Sequence, residues 1–159
     1  MTTDGEAAKN FHYSIEPATW RDLNSLRYVE RVCFPKDYWP LWDLIGVLTL
    51  PKVIRLKAVV QDTMVGFIAS DIRSSERLAW IATVAVLPEY RGRGIGTALI
   101  TSCEIQVGVP AMRLTVRASN KDAIRLYREL GYEQKEVWRH YYQDGEDGII
   151  MEKRLQGND

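Results

Sequence analysis

The sequence predicts an α+β domain built on a mostly antiparallel sheet with about four helices, and three patterns predict it. Two β-branched runs, Val53 to Gln61 and Met64 to Ile72, meet at the turn-like pair Asp62-Thr63, as in a hairpin. A second hairpin is signalled where Glu133 to Tyr142 and Ile149 to Leu155 flank Asp144-Gly145-Glu146-Asp147-Gly148. Between them the almost wholly apolar stretch Leu78 to Leu87 runs into a glycine loop and then a helical pattern, giving strand, loop and helix in one unit.

In chain order, Met1 to Asn10 is polar with no apolar run and reads as a flexible tail, neither signal peptide nor anchor. A strand-like stretch follows over Phe11 to Ile15. Thr19 is placed to cap a helix carrying Leu23, Leu26, Val29, Glu30 and Cys33, which stops at Phe34-Pro35. Tyr38 to Leu50 can form a second helix, interrupted near Pro40 and closed by Pro51, with aromatics suited to a pocket wall. After the first hairpin and the apolar strand, Thr97 to Val107 has helical spacing and Arg113 to Ala118 reads as a strand. Ser119-Asn120 can cap a last helix through Ala123, Ile124, Leu126, Tyr127 and Leu130 to Gly131. We expect one domain over residues 11–155, with a short tail at 156–159.

A chain of 159 residues suits one core. Lys plus Arg and Asp plus Glu are both 21, so no net field draws the chain to nucleic acid or an anionic membrane. No window approaches the roughly 18 apolar residues of a membrane span, and we expect a cytoplasmic protein. Cys33 and Cys103 lie apart in helix-like patterns, which argues against a disulfide framework or structural zinc, and no metal is expected.

The loop Arg91-Gly92-Arg93-Gly94-Ile95-Gly96 carries the chemistry. Glycines between a buried strand and a helix let backbone N–H groups approach a phosphate, and the positive end of the helix dipole favours that charge. Arg91 and Arg93 add cations, and Thr97 adds a hydroxyl in the first helical turn. The loop lacks the terminal Gly-Lys-Ser/Thr of a Walker motif, and Leu99 stands where a dinucleotide fingerprint needs its third glycine.

The loop resembles the phosphate motif of the GNAT-type N-acetyltransferases: Arg or Gln, two residues, Gly, one residue, then Gly or Ala. The resemblance extends upstream through Val84-Ala85-Val86-Leu87-Pro88-Glu89-Tyr90 and downstream through Ser119-Asn120, Ala123, Leu126-Tyr127 and Leu130-Gly131-Tyr132, about half the chain. It implies a mixed, mostly antiparallel sheet of six to seven strands flanked by about four helices, with acetyl-CoA as co-substrate. Leu114 to Asn120, Tyr141 to Asp147 and Phe34-Pro35-Lys36-Asp37-Tyr38 look most like the protein N-terminal acetyltransferases, including those that modify ribosomal protein S18.

The resemblance implies that Val84, Ala85 and Val86 line the pantetheine arm, which Val84 and Val86 contact through backbone groups. Arg91, Gly92, Arg93, Gly94, Ile95, Gly96 and Thr97 would surround the pyrophosphate, and Asn120 would bond the cofactor as well as cap its helix. Tyr127 aligns with the tyrosine that acts as general acid. Phe34, Tyr38, Tyr141 and Tyr142 are candidates for the acceptor groove. Lys36 stands where archaeal relatives often have glutamate.

The base is where the pattern breaks. Thr115 occupies the position of a glutamate or histidine in many relatives, and Trp80 that of a tyrosine or histidine in others. Threonine cannot act alone as a base, so water relayed to Glu30, Asp37 or a backbone carbonyl is left open as a substitute. An α-amine of pKa about 7.7 to 8.0 is roughly a third neutral near pH 7.5, whereas a lysine amine near 10.4 is about 0.1 per cent neutral, a difference of about 3.5 kcal/mol. The expected acceptor is therefore a protein or peptide N-terminus. A small amine such as a polyamine or amino sugar, and an acyl-CoA-binding module with little turnover, are the alternatives. The chain is expected to be a monomer or homodimer.

Overall fold

In the computed structural model, which describes residues 11–156, a reciprocal cap opens the first helical segment. The Thr19 hydroxyl accepts from the Arg21 N–H at 3.3 Å, and the Asp22 carboxylate accepts from the Thr19 N–H at 2.8 Å. The expected tail at 1–10 and residues 157–159 lie outside the described residues. A single 3-10 turn over Trp20–Asp22 leads into α1 (Leu23–Cys33), which buries Leu26, Val29 and Glu30 on one face. Pro40 then precedes α2 (Leu41–Thr49), as its fixed φ permits just before a helix.

Among the described residues seven strands form one sheet in the order β1-β2-β3-β4-β5-β7-β6. They are β1 (Ser14–Pro17), β2 (Val53–Val60), β3 (Thr63–Arg73), β4 (Leu78–Val86), β5 (Ala111–Arg117), β6 (Glu133–Trp138) and β7 (Gly148–Arg154). Helix α3 (Ile95–Gln106) makes the crossover from β4 to β5, and α4 (Lys121–Glu129) follows β5. All pairs are antiparallel except β4 with β5. The mixed, mostly antiparallel sheet and four helices agree with the expectation.

Local differences have local causes. The first strand begins at Ser14, because its ladder partners lie on β2 from Leu56 to Val59. The first hairpin turns at Gln61-Asp62, one residue earlier than expected: both have positive φ, 47° and 62°, which suits the right-handed twist of the flanking strands. Tyr141 and Tyr142 lie in the loop between β6 and β7, because the β6 ladder ends at Trp138 opposite Gly148.

Helices cover the centre of the sheet, so β3 shows no alternation and is buried from Met64 through Ser70. Phe67, Ile68, Leu99, Ile100 and Met112 are fully buried in one continuous core with Leu26 and Val29. Each such apolar side chain contributes about 1.5–3 kcal/mol relative to exposure.

One irregularity shapes the site. On β3 the neighbours Ala69 and Ser70 pair with Thr83 and Ile81, so Ala82 is an extra residue on β4, a bulge. The Ser70 hydroxyl donates to the Trp80 carbonyl beside it at 3.1 Å. Bulges bend the strand that carries them, and on its other edge β4 pairs with β5 only at Ala79 with Met112 and Trp80 with Arg113. Beyond Trp80 the two parallel strands separate.

Candidate active site

The separation of β4 and β5 opens a cavity of about 960 Å³. Ile81 to Val86 form one arm of the split and Leu114 to Arg117 the other. The Thr83 side chain reaches α1, while Val86 lies beside Gly96 of α3, so the alternation of β4 presents the cavity to both faces of the sheet.

On the α3 face, a 3-10 turn over Pro88–Tyr90 leads β4 into the glycine loop. Gly92 and Gly94 have φ of 75° and 83°, and a Cβ built on either meets nothing within 4 Å. Conformation, not space, requires glycine at both positions, and the open surface lets a ligand approach the backbone. Gly94 caps α3 without a side chain, so the N–H groups of Ile95, Gly96 and Thr97 have no intrahelical acceptor. All three residues line the cavity. Orphan donors at a helix start under open glycines form a cradle that fits a pyrophosphate.

The two loop arginines differ. Arg91 lines the cavity, but its Nε donates to the Val86 carbonyl at 2.9 Å, a carbonyl also reached by the Cys33 thiol at 3.4 Å. That oxygen is therefore already engaged. Arg93, expected beside the phosphates, does not line the cavity: its guanidinium lies 4.6 Å from the centre of the Phe11 ring, where it gains a cation–π contact. Asn120 lines the cavity and also caps α4, its side-chain oxygen accepting from the Ala123 N–H at 3.2 Å.

Tyr127 projects from α4 into the same space and is buried, with its ring edge-on to Tyr132 at 6.0 Å. Burial, with the neighbouring Tyr142, pushes its phenol well above the usual range, so it holds its proton at neutral pH.

On the α1 face, Cys33 to Asp37, Trp39 and Tyr142 line the cavity. Of the four residues expected in an acceptor groove, Phe34 and Tyr142 line this cavity. Tyr38 and Tyr141 do not. Tyr38 is half exposed with Arg31 over its ring at 5.7 Å, and Tyr141 packs between Trp138 and Tyr142 at 5.4 and 5.0 Å. Trp80 lies outside the lining, with Arg73 and Arg113 both within 6 Å of its ring.

Arg117 joins the segment after α1 to the loop between β6 and β7. Its Nε and Nη2 donate to both Asp37 oxygens at 2.8 Å, and its Nη1 donates to Asp144 and Glu146 at 2.9 Å. The guanidinium also lies 4.1 Å from the centre of the Tyr142 ring. Glu146 accepts from the Ser119 N–H at 2.7 Å; its bonds to Ser119 and then to Arg117 lower its carboxyl to about 2. The Tyr142 phenol is pushed up to about 12, chiefly by burial. Arg117 and Thr83 escaped the sequence reading; the one available signal was an arginine ending an apolar strand, with an acid-rich loop downstream.

Residues 18–132 match the acetyltransferase (GNAT) family. The chain belongs to that family. It is 33% identical to an N-alpha-acetyltransferase of Sulfurisphaera tokodaii, covering 92% of this chain and 95% of that protein. It is 36% identical to the [ribosomal protein bS18]-alanine N-acetyltransferase of Salmonella typhimurium, over 63% of this chain and 70% of that one. The ribosomal-protein-S18-alanine N-acetyltransferase of Escherichia coli superposes with a TM-score of 0.84 at 26% identity, over 93% and 97% of the two chains. The protein is thus a GNAT N-acetyltransferase, and acetyl-CoA is the co-substrate of that family. Among the described residues no helix is long and apolar enough to cross a membrane, no cluster of metal-binding side chains occurs, and both cysteines are free.

Proposed function

We propose that this GNAT enzyme acetylates the N-terminal α-amine of a protein or peptide, by direct attack of the amine on the thioester in a ternary complex. The observation that carries the reading is the through-going cavity. Its α3 face offers the glycine cradle and its α1 face the Phe34 to Asp37 loop with Tyr142, so donor and acceptor can meet in the split between β4 and β5. Names of relatives such as the Sulfurisphaera tokodaii N-alpha-acetyltransferase support the same acceptor.

In this reading the N–H groups at the start of α3 hold the pyrophosphate, and the free edge of β4 aligns the pantetheine arm. The neutral amine attacks the carbonyl, a tetrahedral intermediate collapses, and Tyr127 returns a proton to the departing thiolate. Burial keeps that phenol protonated at neutral pH, so the proton is in place when the thiolate departs. Cys33 supports direct attack, because burial above all raises its thiol and leaves little thiolate for an acetyl-enzyme. The groove is not strongly acidic, since Asp37 is fully engaged by Arg117 and Lys36 lines the same wall, which disfavours a polyamine acceptor.

The test is release of free CoA from acetyl-CoA with a panel of peptides, polyamines and amino sugars. Release with peptides bearing free N-termini, and not with N-blocked ones, is expected. Turnover confined to small amines overturns the acceptor assignment, and no turnover with any amine favours a binding module. An acetylated protein that accumulates without acceptor overturns direct attack.

A further inference from the structure

We propose that Thr83 and Glu30 form the proton relay of the transfer step, in which the Thr83 hydroxyl meets the attacking amine and the buried Glu30 carboxylate takes the proton. The proposal rests on direct attack but not on which amine accepts.

Glu30 is 1% exposed on the inner face of α1. Its Oε1 accepts from the Thr83 hydroxyl at 2.7 Å, and its Oε2 has no hydrogen-bond partner among the described residues. Among the described residues no lysine or arginine forms an ion pair with it. Leaving half a carboxylate unpaired in a core costs free energy, about 1–3 kcal/mol, that a purely structural tether between α1 and β4 does not need. Burial raises the carboxyl above its ordinary value, with the Thr83 hydrogen bond opposing it, and a base closer to neutrality accepts a proton more effectively.

Thr83 is where a relay is needed. It lines the cavity just past Trp80, where β4 and β5 part, and its side chain is on the face of β4 that meets α1, the acceptor side. The Ala82 bulge puts it there, since without the extra residue every later side chain on β4 would exchange faces. A threonine hydroxyl that donates to a carboxylate keeps lone pairs to receive a second proton. Glu30 lies behind Thr83 rather than in the cavity wall, and Asp37, the carboxylate of the wall on the α1 side, is a poor base because both its oxygens are held by Arg117.

In the step, the amine nitrogen bonds to the acetyl carbonyl carbon. Its excess proton passes to Thr83 Oγ1 as the hydroxyl's own proton moves to Glu30 Oε1. The carbon–sulfur bond then breaks with its electron pair leaving on sulfur, and Tyr127 protonates the thiolate. Glu30 afterwards releases one proton to solvent and Tyr127 regains one, so the enzyme is restored.

The experiment measures CoA release by the full chain at saturating acetyl-CoA with whichever amine turns over, alongside acetyl-CoA affinity. Thr83→Val and Glu30→Gln are each expected to lower kcat about 10²-fold or more, with acetyl-CoA affinity unchanged. Thr83→Ser, which keeps the hydroxyl, should retain most of the activity, and the Thr83→Val/Glu30→Gln double variant should be no slower than either single one. The proposal is overturned if Thr83→Val or Glu30→Gln keeps kcat within about threefold, far short of a general-base effect. It is also overturned if Thr83→Ser is as slow as Thr83→Val, or if lost cofactor affinity accounts for the loss of rate. Should Glu30→Gln fail to fold, the Thr83 pair decides. Turnover of small amines but not peptides would overturn the α-amine assignment and leave this test intact.

Discussion

Arg117 on β5 holds Asp37, eighty residues earlier in the chain, through two parallel N–H···O bonds of 2.8 Å. The same guanidinium binds Asp144 and Glu146, so one side chain ties the segment after α1 to the loop between β6 and β7. Paired, planar geometry of this kind is specific to arginine. Both segments reach the cavity, through Asp37 and Tyr142, on the side proposed above for the acceptor.

Arg117→Ala should therefore loosen both loops at once. The pairs are partly buried, so a loss of about 1–3 kcal/mol lies between the surface and buried limits. KM for the acceptor should rise while affinity for acetyl-CoA stays the same. Denaturant titration and steady-state kinetics on the variant check both outcomes, and Arg117→Lys should recover only part of either.

The clamp also gives acid sensitivity a sign. The Glu146 carboxyl is lowered from 4.5 to about 2 in the folded protein, so it binds protons more readily unfolded. Its contribution is complete above about 4.5 and is lost as pH falls toward about 2. Urea midpoints measured across that window should converge for wild type and Glu146→Gln at the acid end and diverge above pH 5.

Tyr127→Phe keeps the buried ring and removes the proton donor. We expect kcat to fall about 10²-fold or more with unchanged acetyl-CoA affinity, as loss of a general acid does. Calorimetric titration beside turnover measurements separates the two; equal losses in both would make Tyr127 a binding residue.

Gly94→Ala forces a side chain into left-handed backbone at the start of α3, where φ is 83°. A penalty of about 1–2 kcal/mol follows. Because the space around a built Cβ is open, the cost should appear as strain in the cradle, lowering acetyl-CoA affinity about tenfold. A Gly94→Ala variant with native affinity would show that the loop geometry is not used.

At Gly148 space is the constraint. A Cβ there would sit 2.9 Å from the Thr115 methyl and 3.1 Å from the Tyr141 ring. Gly148→Ala should cost about 1–3 kcal/mol by overpacking and shift the β6–β7 loop that carries Tyr142. Thermal melts and acceptor KM report the two effects.

The amino-acid order alone carried the class of fold, the two hairpins, the strand–loop–helix unit and the glycine cradle, because each depends on local pattern or on φ values that few residues other than glycine adopt. The family resemblance came from the same stretches, and Tyr127 and Asn120 with it. What lies far apart in the chain could not be read there. The Ala82 bulge appears only in the register between β3 and β4, yet it accompanies the opening of the split and sets the face of Thr83. Arg117 meets its acids across eighty residues, and Glu30 meets Thr83 across fifty-three. Arg93, Tyr38 and Tyr141 look suited to a site by composition, but packing directs Arg93 to Phe11, Tyr38 to Arg31 and Tyr141 to Trp138. Side-chain type is a local property, whereas the neighbours that charge and burial select are set by how the elements come together.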